Sequence, residues 1–253
     1  MTALLDSRNV LITGAAGDLG FAMVQRFVLA GARVVLADLV PEDLHALCVR
    51  HALPQDRVFI VRADVASPEL SRDAVDAGVR HFGALHVLVN NAAVAVPRQP
   101  AADIEVDTWR RALDVNLTGA WLMAKWSIPH LRAAGGGVIL NIASQLGHVT
   151  SPGSAAYSAT KAALLSLTRT LAVDYAADGI RAVSLSPGAV MTSRLTRRYG
   201  DEAGVLRELG PKHPAGRIAT VGEIAETALF LLSDGAGFIT GSDVLADGGY
   251  TAV

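Results

Sequence analysis

Val10-Leu11-Ile12-Thr13-Gly14-Ala15-Ala16-Gly17-Asp18-Leu19-Gly20 begins as a run of apolar residues, passes into glycines and enters a helical pattern. Val10–Ile12 is continuous rather than alternating, as a strand covered on both faces should be. Leu19, Ala22, Met23, Phe27 and Ala30 then recur at i, i+3, i+4 spacing, and Gly31 stops them. Strand, glycine turn and helix in this order predict an anion site. The first helical N–H groups face a pyrophosphate-like charge at the positive end of the helix dipole, and the glycines let the backbone come close. The glycines fall at 14, 17 and 20 rather than in GxGxxG spacing. Such a turn also occurs where a strand and helix merely pack tightly, so on its own it is weak evidence.

The same rhythm runs outward from this stretch. Arg33–Ala37, Val58–Val61, Leu85–Val89, Val138–Ile142 and Ala182–Leu185 read as buried strands, with a seventh at Phe238–Leu245. Helices are predicted from Ser67-Pro68-Glu69 onward, over Asp107–Arg132 and Ser154–Ala177, and over Val221–Ser233. The first has a hydroxyl cap, a proline at the first helical position and an acid near the dipole's positive end. Strands alternating with helices imply an α/β fold with a doubly wound parallel sheet of about seven strands and helices on both faces. No repeat or linker divides the chain, so residues 1–253 are expected to form one domain. The exception to the rhythm is Gly188–Pro214, rich in Arg and Gly, which reads as a substrate loop holding one or two short helices.

Composition narrows the function classes. The chain has 253 residues, 51% hydrophobic and 18% charged, with a net charge of −2. That is enough apolar matter for a sizeable core and argues against disorder. No apolar stretch reaches membrane-spanning length, no leader pattern opens the chain, and no basic face suggests nucleic acid. One cysteine, Cys48, leaves no internal disulfide and fits a reducing compartment; a cytoplasmic protein is expected. The seven His and one Cys show no metal-ligand spacing.

Three further groups stand out. Asp38 ends the second strand, 18 residues after Gly20. There an acid accepts from a ribose 2′-hydroxyl and repels a 2′-phosphate, which favours NAD over NADP. The bland alternative is a surface acid before a helix. Tyr157 and Lys161 lie one turn apart on one predicted helix face. An ammonium beside a phenol favours the phenolate, making a general base. With four tyrosines and only Lys125, Lys161 and Lys212 in the chain, chance would supply such a pair about 0.05 times. Ser144 ends the fifth strand, where functional groups line the crevice of a parallel sheet, although a lone serine there is more often a turn or cap.

These residues, in this order, resemble the short-chain dehydrogenase/reductase family in its short single-domain branch, over nearly the whole chain. The resemblance rests on Thr13–Gly20, Asp64-Val65, Asn90-Asn91-Ala92-Ala93, Asn116, Ser144, Tyr157–Lys161, Pro187-Gly188 and Asp247-Gly248-Gly249. It implies a Rossmann-type fold, a nicotinamide cofactor, a homotetramer and a catalytic tetrad of Asn116, Ser144, Tyr157 and Lys161. In that reading Tyr157 exchanges a proton with the substrate oxygen, Ser144 orients it, Lys161 lowers the Tyr157 pKa and binds ribose, and Asn116 holds a relay water. Gly14, Gly17, Asp18, Leu19 and Gly20 would cradle the pyrophosphate, Asp64 and Val65 the adenine, Asn90 the adenosine ribose, and Val190 and Thr192 the carboxamide. Two positions depart from the pattern: Asp18 and Ala93 stand where the family usually has glycine.

Substrate signals are sparser. Gln145 and His148 follow Ser144 and could hydrogen-bond a polyhydroxy substrate. Arg194, Arg197 and Arg198 could pair with a carboxylate or phosphate, although arginines on a helix more often form a solvated face. The first expectation is an NAD-dependent dehydrogenase of a secondary alcohol: a sugar, polyol or hydroxy acid. The alternatives are a 3-oxoacyl-thioester reductase, which Asp38 disfavours, and a catalytically silent nucleotide-sensing scaffold on the same fold.

Overall fold

The computed structural model describes residues 4–253. Its strands are β1 (Asn9–Thr13), β2 (Arg33–Asp38), β3 (Val58–Arg62), β4 (Val87–Asn90), β5 (Gly137–Ile142), β6 (Ile180–Pro187) and β7 (Asp243–Ala246). They form one sheet in the order β3-β2-β1-β4-β5-β6-β7, and every ladder is parallel. The fold is the Rossmann-type doubly wound sheet. The continuous apolar runs are explained by the two cores they feed. Val10 and Ile12 of β1 pack into one core with Val34 and Leu36 of β2, while Leu11, Val35 and Ala37 face the other.

Helices cover both faces. α1 (Asp18–Leu29), α2 (Pro41–Arg50) and α9 (Val221–Leu232) bring Phe27, Leu44 and Leu229 to the first core. α3 (Pro68–Phe82), α5 (Gly119–Ala133) and α6 (Ala155–Asp174) bring Val75, Met123 and Leu171 to the second. α3 starts as its sequence predicts: the Ser67 hydroxyl accepts from the Leu70 N–H at 3.2 Å, with Pro68 at the first turn. Strand order reverses between β1 and β4, and that switch point opens a crevice at the carboxyl ends of the strands.

Two sequence readings are corrected, and one helix is added. The helix expected over Asp107–Arg132 is two helices, α4 (Val106–Leu113) and α5, joined by a π-helical turn at Asp114–Thr118 that contains Asn116. The seventh strand begins at Asp243, not Phe238. Phe238 is fully exposed, and Gly241 at φ +68° bends the chain before the ladder starts. α2 was not anticipated because it buries only Leu44, too little for a periodic pattern. Gly188–Pro214 holds two short helices, α7 (Ser193–Tyr199) and α8 (Glu202–Leu209).

Candidate active site

A cleft of about 770 Å³ lies along the carboxyl ends of the strands. The turn after β1 forms its floor. Gly14 takes φ +63°, and a Cβ there would lie 2.8 Å from Ala92 Cα. A Cβ on Gly20 would lie 2.2 Å from the Gly14 carbonyl oxygen, so that position has no room for a side chain. Thr13 ties the turn to the segment after β4: its hydroxyl accepts from the Asn91 and Ala92 N–H groups, each at 3.1 Å. Asn91 returns two bonds, from its amide to the Thr13 and Gly14 carbonyls, each at 3.0 Å. No side chain caps the start of α1. Its first N–H groups therefore lack intrahelical and side-chain partners, as an anion site requires.

Three carboxylates line the cleft. Asp38 accepts from the Ala16 N–H at 2.9 Å and the Leu39 N–H at 2.7 Å, which locks the end of β2 to the glycine turn. Each oxygen keeps acceptor capacity for a ribose hydroxyl. Asp64 accepts from the Ala66 N–H at 3.0 Å beside Val65, and both residues border the cleft. Asp18 accepts from the Ser193 N–H at 2.9 Å and its hydroxyl at 2.8 Å. The residue that departs from the family pattern thus joins the glycine turn to α7.

Ser144, Tyr157 and Lys161 share the opposite wall. Tyr157 and Lys161 lie on successive turns of α6, and Ser144 follows β5. Lys161 is buried; its Nζ donates to the Ile142 carbonyl at 2.6 Å and lies 5.7 Å from the Tyr157 ring centre. Burial, with the Arg194 guanidinium nearby, lowers the Lys161 pKa to about 8. Burial also raises the Tyr157 phenol above its usual value, opposed by Arg194 and by the Ser144 side chain, which is placed to hydrogen-bond the phenol. Burial thus opposes the phenolate, and Arg194 and Ser144 favour it.

Other sequence-identified residues divide. Val190 and Thr192 line the cleft, and the Thr192 hydroxyl is buried with no partner. Gln145 is also at the cleft, with a buried, unpartnered Oε1. Two orphaned polar atoms and an uncapped helix start in one cleft are what a polar ligand of nucleotide size would satisfy. Three of the expected site residues bond within the protein. The Asn90 side chain points away from the cleft: its amide donates to the Ala120 carbonyl at 3.1 Å and to Asn141 Oδ1 at 2.8 Å. Asn116 clamps Val94 through its side chain, accepting from its N–H at 2.8 Å and donating to its carbonyl at 3.3 Å. His148 leaves the cleft for Asp243 at 2.7 Å; the same carboxylate accepts from Ser186 at 2.9 Å.

A family model described as enoyl-(acyl carrier protein) reductase matches residues 14–251. The cis-4-hydroxycyclohexanecarboxylate dehydrogenase of Sinomonas cyclohexanicum is 39% identical over 247 residues, covering 97% of each chain. The chain belongs to the short-chain dehydrogenase/reductase family. It is an oxidoreductase of the alcohol dehydrogenase type. Two solved members share its shape. The 3-ketoacyl-(acyl-carrier-protein) reductase from Brucella melitensis, complexed with NADH, superposes with a TM-score of 0.89 at 33% identity, over 98% of this chain and 99% of that one. A gluconate 5-dehydrogenase from Burkholderia cenocepacia, in complex with NADP and tartrate, superposes at 0.92 and 34% identity, over 100% and 98%.

Within this short-chain dehydrogenase fold, sequence reasoning missed Arg111 and gave no role to His213 within the substrate loop or to Arg98. His213 is buried, takes the Ala189 N–H at 3.3 Å and meets the Leu209 carbonyl at 2.8 Å, pinning both ends of the segment over the cleft. Nothing in the local sequence marks it, because both partners are main-chain atoms and one of them, Ala189, is 24 residues away. Arg98 and Arg111 reach the cleft from the segment after β4 and from α4.

Proposed function

We propose that the protein interconverts a small secondary alcohol and its ketone, with NAD(H) as the hydride partner. The observation that carries this reading is the convergence of Ser144, Tyr157 and Lys161 on one wall of a cleft whose floor is the uncapped start of α1. Bound NAD supplies the carbon that accepts the hydride. The Tyr157 oxygen takes the hydroxyl proton on oxidation and returns it on reduction. Ser144 holds the substrate oxygen by hydrogen bonding. Lys161 places a cation where a phenolate forms and reaches toward the ribose. Asn116, through its clamp on Val94, positions the cleft wall beside α6. Thr192 and Val190 face the carboxamide, and Asp64 the adenine.

Asp38 supports NAD over NADP, because a 2′-phosphate would meet a carboxylate already fixed by two main-chain bonds. The relative from Sinomonas suggests a cyclic secondary alcohol as the first substrate to try. An acyl-thioester reductase is the second reading, favoured by the likeness to the Brucella reductase. A silent scaffold has no use for a buried lysine one turn from Tyr157.

The test is cofactor reduction with a panel of cyclic and open-chain secondary alcohols, and cofactor oxidation with the matching ketones and 3-oxoacyl thioesters. Turnover of alcohols with NAD is expected; turnover of thioesters alone, with NADPH, would replace this reading by the second. Assembly as a homotetramer belongs to the same proposal. Trp109 and Trp121 are 37% and 44% exposed on α4 and α5, and they offer the apolar surface a partner would cover. Light scattering at micromolar concentration should show four chains rather than a 26.3 kDa species.

A further inference from the structure

α7 carries Arg194, Arg197 and Arg198 at i, i+3 and i+4, a spacing that puts the three on one helical face. All three line the cleft. Arg98, Arg111 and Lys212 line it from three other segments. Among the described residues, none of these six cations is ion-paired with a carboxylate. The carboxylates of the cleft are elsewhere. Asp38 and Asp64 follow β2 and β3 on one side of the switch point, and Asp18 is engaged with Ser193. Asp38 and Asp64 thus border the cleft from β2 and β3, Asp18 meets the start of α7, and the unpaired arginines border the cleft from α7 itself. The three arginines are exposed, and each borders the cleft that Ser144 and Tyr157 also line.

We infer that α7 selects a substrate bearing a carboxylate, with Arg194 its principal anchor and Arg197 and Arg198 adding charge. This rests on the alcohol dehydrogenase reading above and names the substrate class for that site. Arg194 is close enough to act on both Tyr157 and Lys161. An anion held by Arg194 would share the cleft with the substrate hydroxyl at Tyr157. A guanidinium suits a carboxylate because its planar fork can donate two parallel bonds. An anion on the lid could also come from the phosphates of the cofactor, and the experiment separates the two sources.

The experiment compares 4-hydroxycyclohexanecarboxylate with its uncharged methyl ester, in the unmutated protein and in Arg194→Gln and Arg194→Lys. The readout is the ratio of kcat/KM for acid over ester. Any effect of Arg194 on Tyr157 enters both substrates and cancels in that ratio. The ratio is expected to favour the acid, to fall about tenfold to a hundredfold in Arg194→Gln, the range for a charged hydrogen bond, and to recover partly in Arg194→Lys. NADH affinity, by calorimetry, is expected to stay unchanged. A ratio that does not move with Arg194 overturns the inference. So does a fall in NADH affinity with both substrates weakened alike, which would assign the arginine to cofactor phosphate. Calorimetry of cyclohexanecarboxylate against the NADH-loaded protein covers the remaining case. If neither substrate turns over, arginine-dependent binding of this acid keeps the inference while the alcohol dehydrogenase reading fails. Its absence overturns the inference.

Discussion

The turn Gly14–Gly20 and the excursion Gly188–Pro214 both leave the carboxyl end of a strand and both border the cleft, yet they are held in opposite ways. The turn is densely held: Asn91 donates to the Gly14 carbonyl, Asp38 accepts from the Ala16 N–H, the Ala15 N–H donates to the Ala37 carbonyl, and Gly20 has no space for a methyl group. The excursion is pinned at a few separated points, among them His213 on Ala189, Asp18 on Ser193, and the Ala215 N–H on the Gly248 carbonyl. A surface built from backbone recognises a group common to many ligands. A surface built from arginine side chains on a lightly anchored helix can be retuned without disturbing that recognition. Substitutions in the turn should therefore harm every reaction of the enzyme, and those around α7 should change which substrate it prefers.

Asp38→Ser gives the largest effect on this side of the comparison. A 2′-phosphate against a fixed carboxylate costs several kcal/mol, so the preference for NAD over NADP should fall by about two decades. The readout is the ratio of kcat/KM for the two cofactors, because loss of the bond to Ala16 will weaken both. Equal efficiency with both cofactors in the unmutated protein would break the assignment. Gly20→Ala comes next. Overpacking of this kind costs about 1–3 kcal/mol, and thermal melting should show the loss together with weaker binding of NAD. A variant with normal stability and affinity would show that the turn is less constrained than its contacts imply. Asp18→Ala is the smallest and sharpens the comparison most. It removes two exposed bonds to Ser193 and one negative charge near the pyrophosphate position. Cofactor should bind slightly tighter while KM for the alcohol rises a few-fold. Movement of both in the same direction would place Asp18 with the turn alone.

The pH profile follows from the site. Oxidation needs the phenolate, and burial holds the Tyr157 pKa above its ordinary value. The rate of alcohol oxidation should therefore rise with pH through the alkaline range, while ketone reduction falls. Lys161, with its pKa lowered to about 8, loses its charge within the same range. The measured midpoint belongs to the coupled pair. Arg194→Gln should move the midpoint upward, because the guanidinium opposes the rise in Tyr157.

The sequence was legible where function depends on spacing along one element. Tyr157 and Lys161 announce themselves by a four-residue offset, and the strands by continuous branched runs. Legibility failed where a residue's partner is distant. Nothing local separates Asn90, buried against Asn141, from Asn91, which holds the turn. His148 looked available because Asp243 lies 95 residues away. The π-helical turn at Asn116 and the bend before β7 are set by packing that no periodicity shows. Burial of the Tyr157 phenol is hidden for a related reason: charge proximity is visible in sequence, and desolvation is not.

The central claim is that Tyr157 moves the substrate proton in a site whose cofactor binding does not depend on it. The most direct measurement pairs NAD affinity by calorimetry with turnover of the best alcohol from the panel, for the unmutated protein and Tyr157→Phe. The ring is kept and only the hydroxyl is lost, so affinity should stay close to that of the unmutated protein while turnover falls by about 10²–10⁴-fold or more. Retention of most of the activity by Tyr157→Phe would contradict the account.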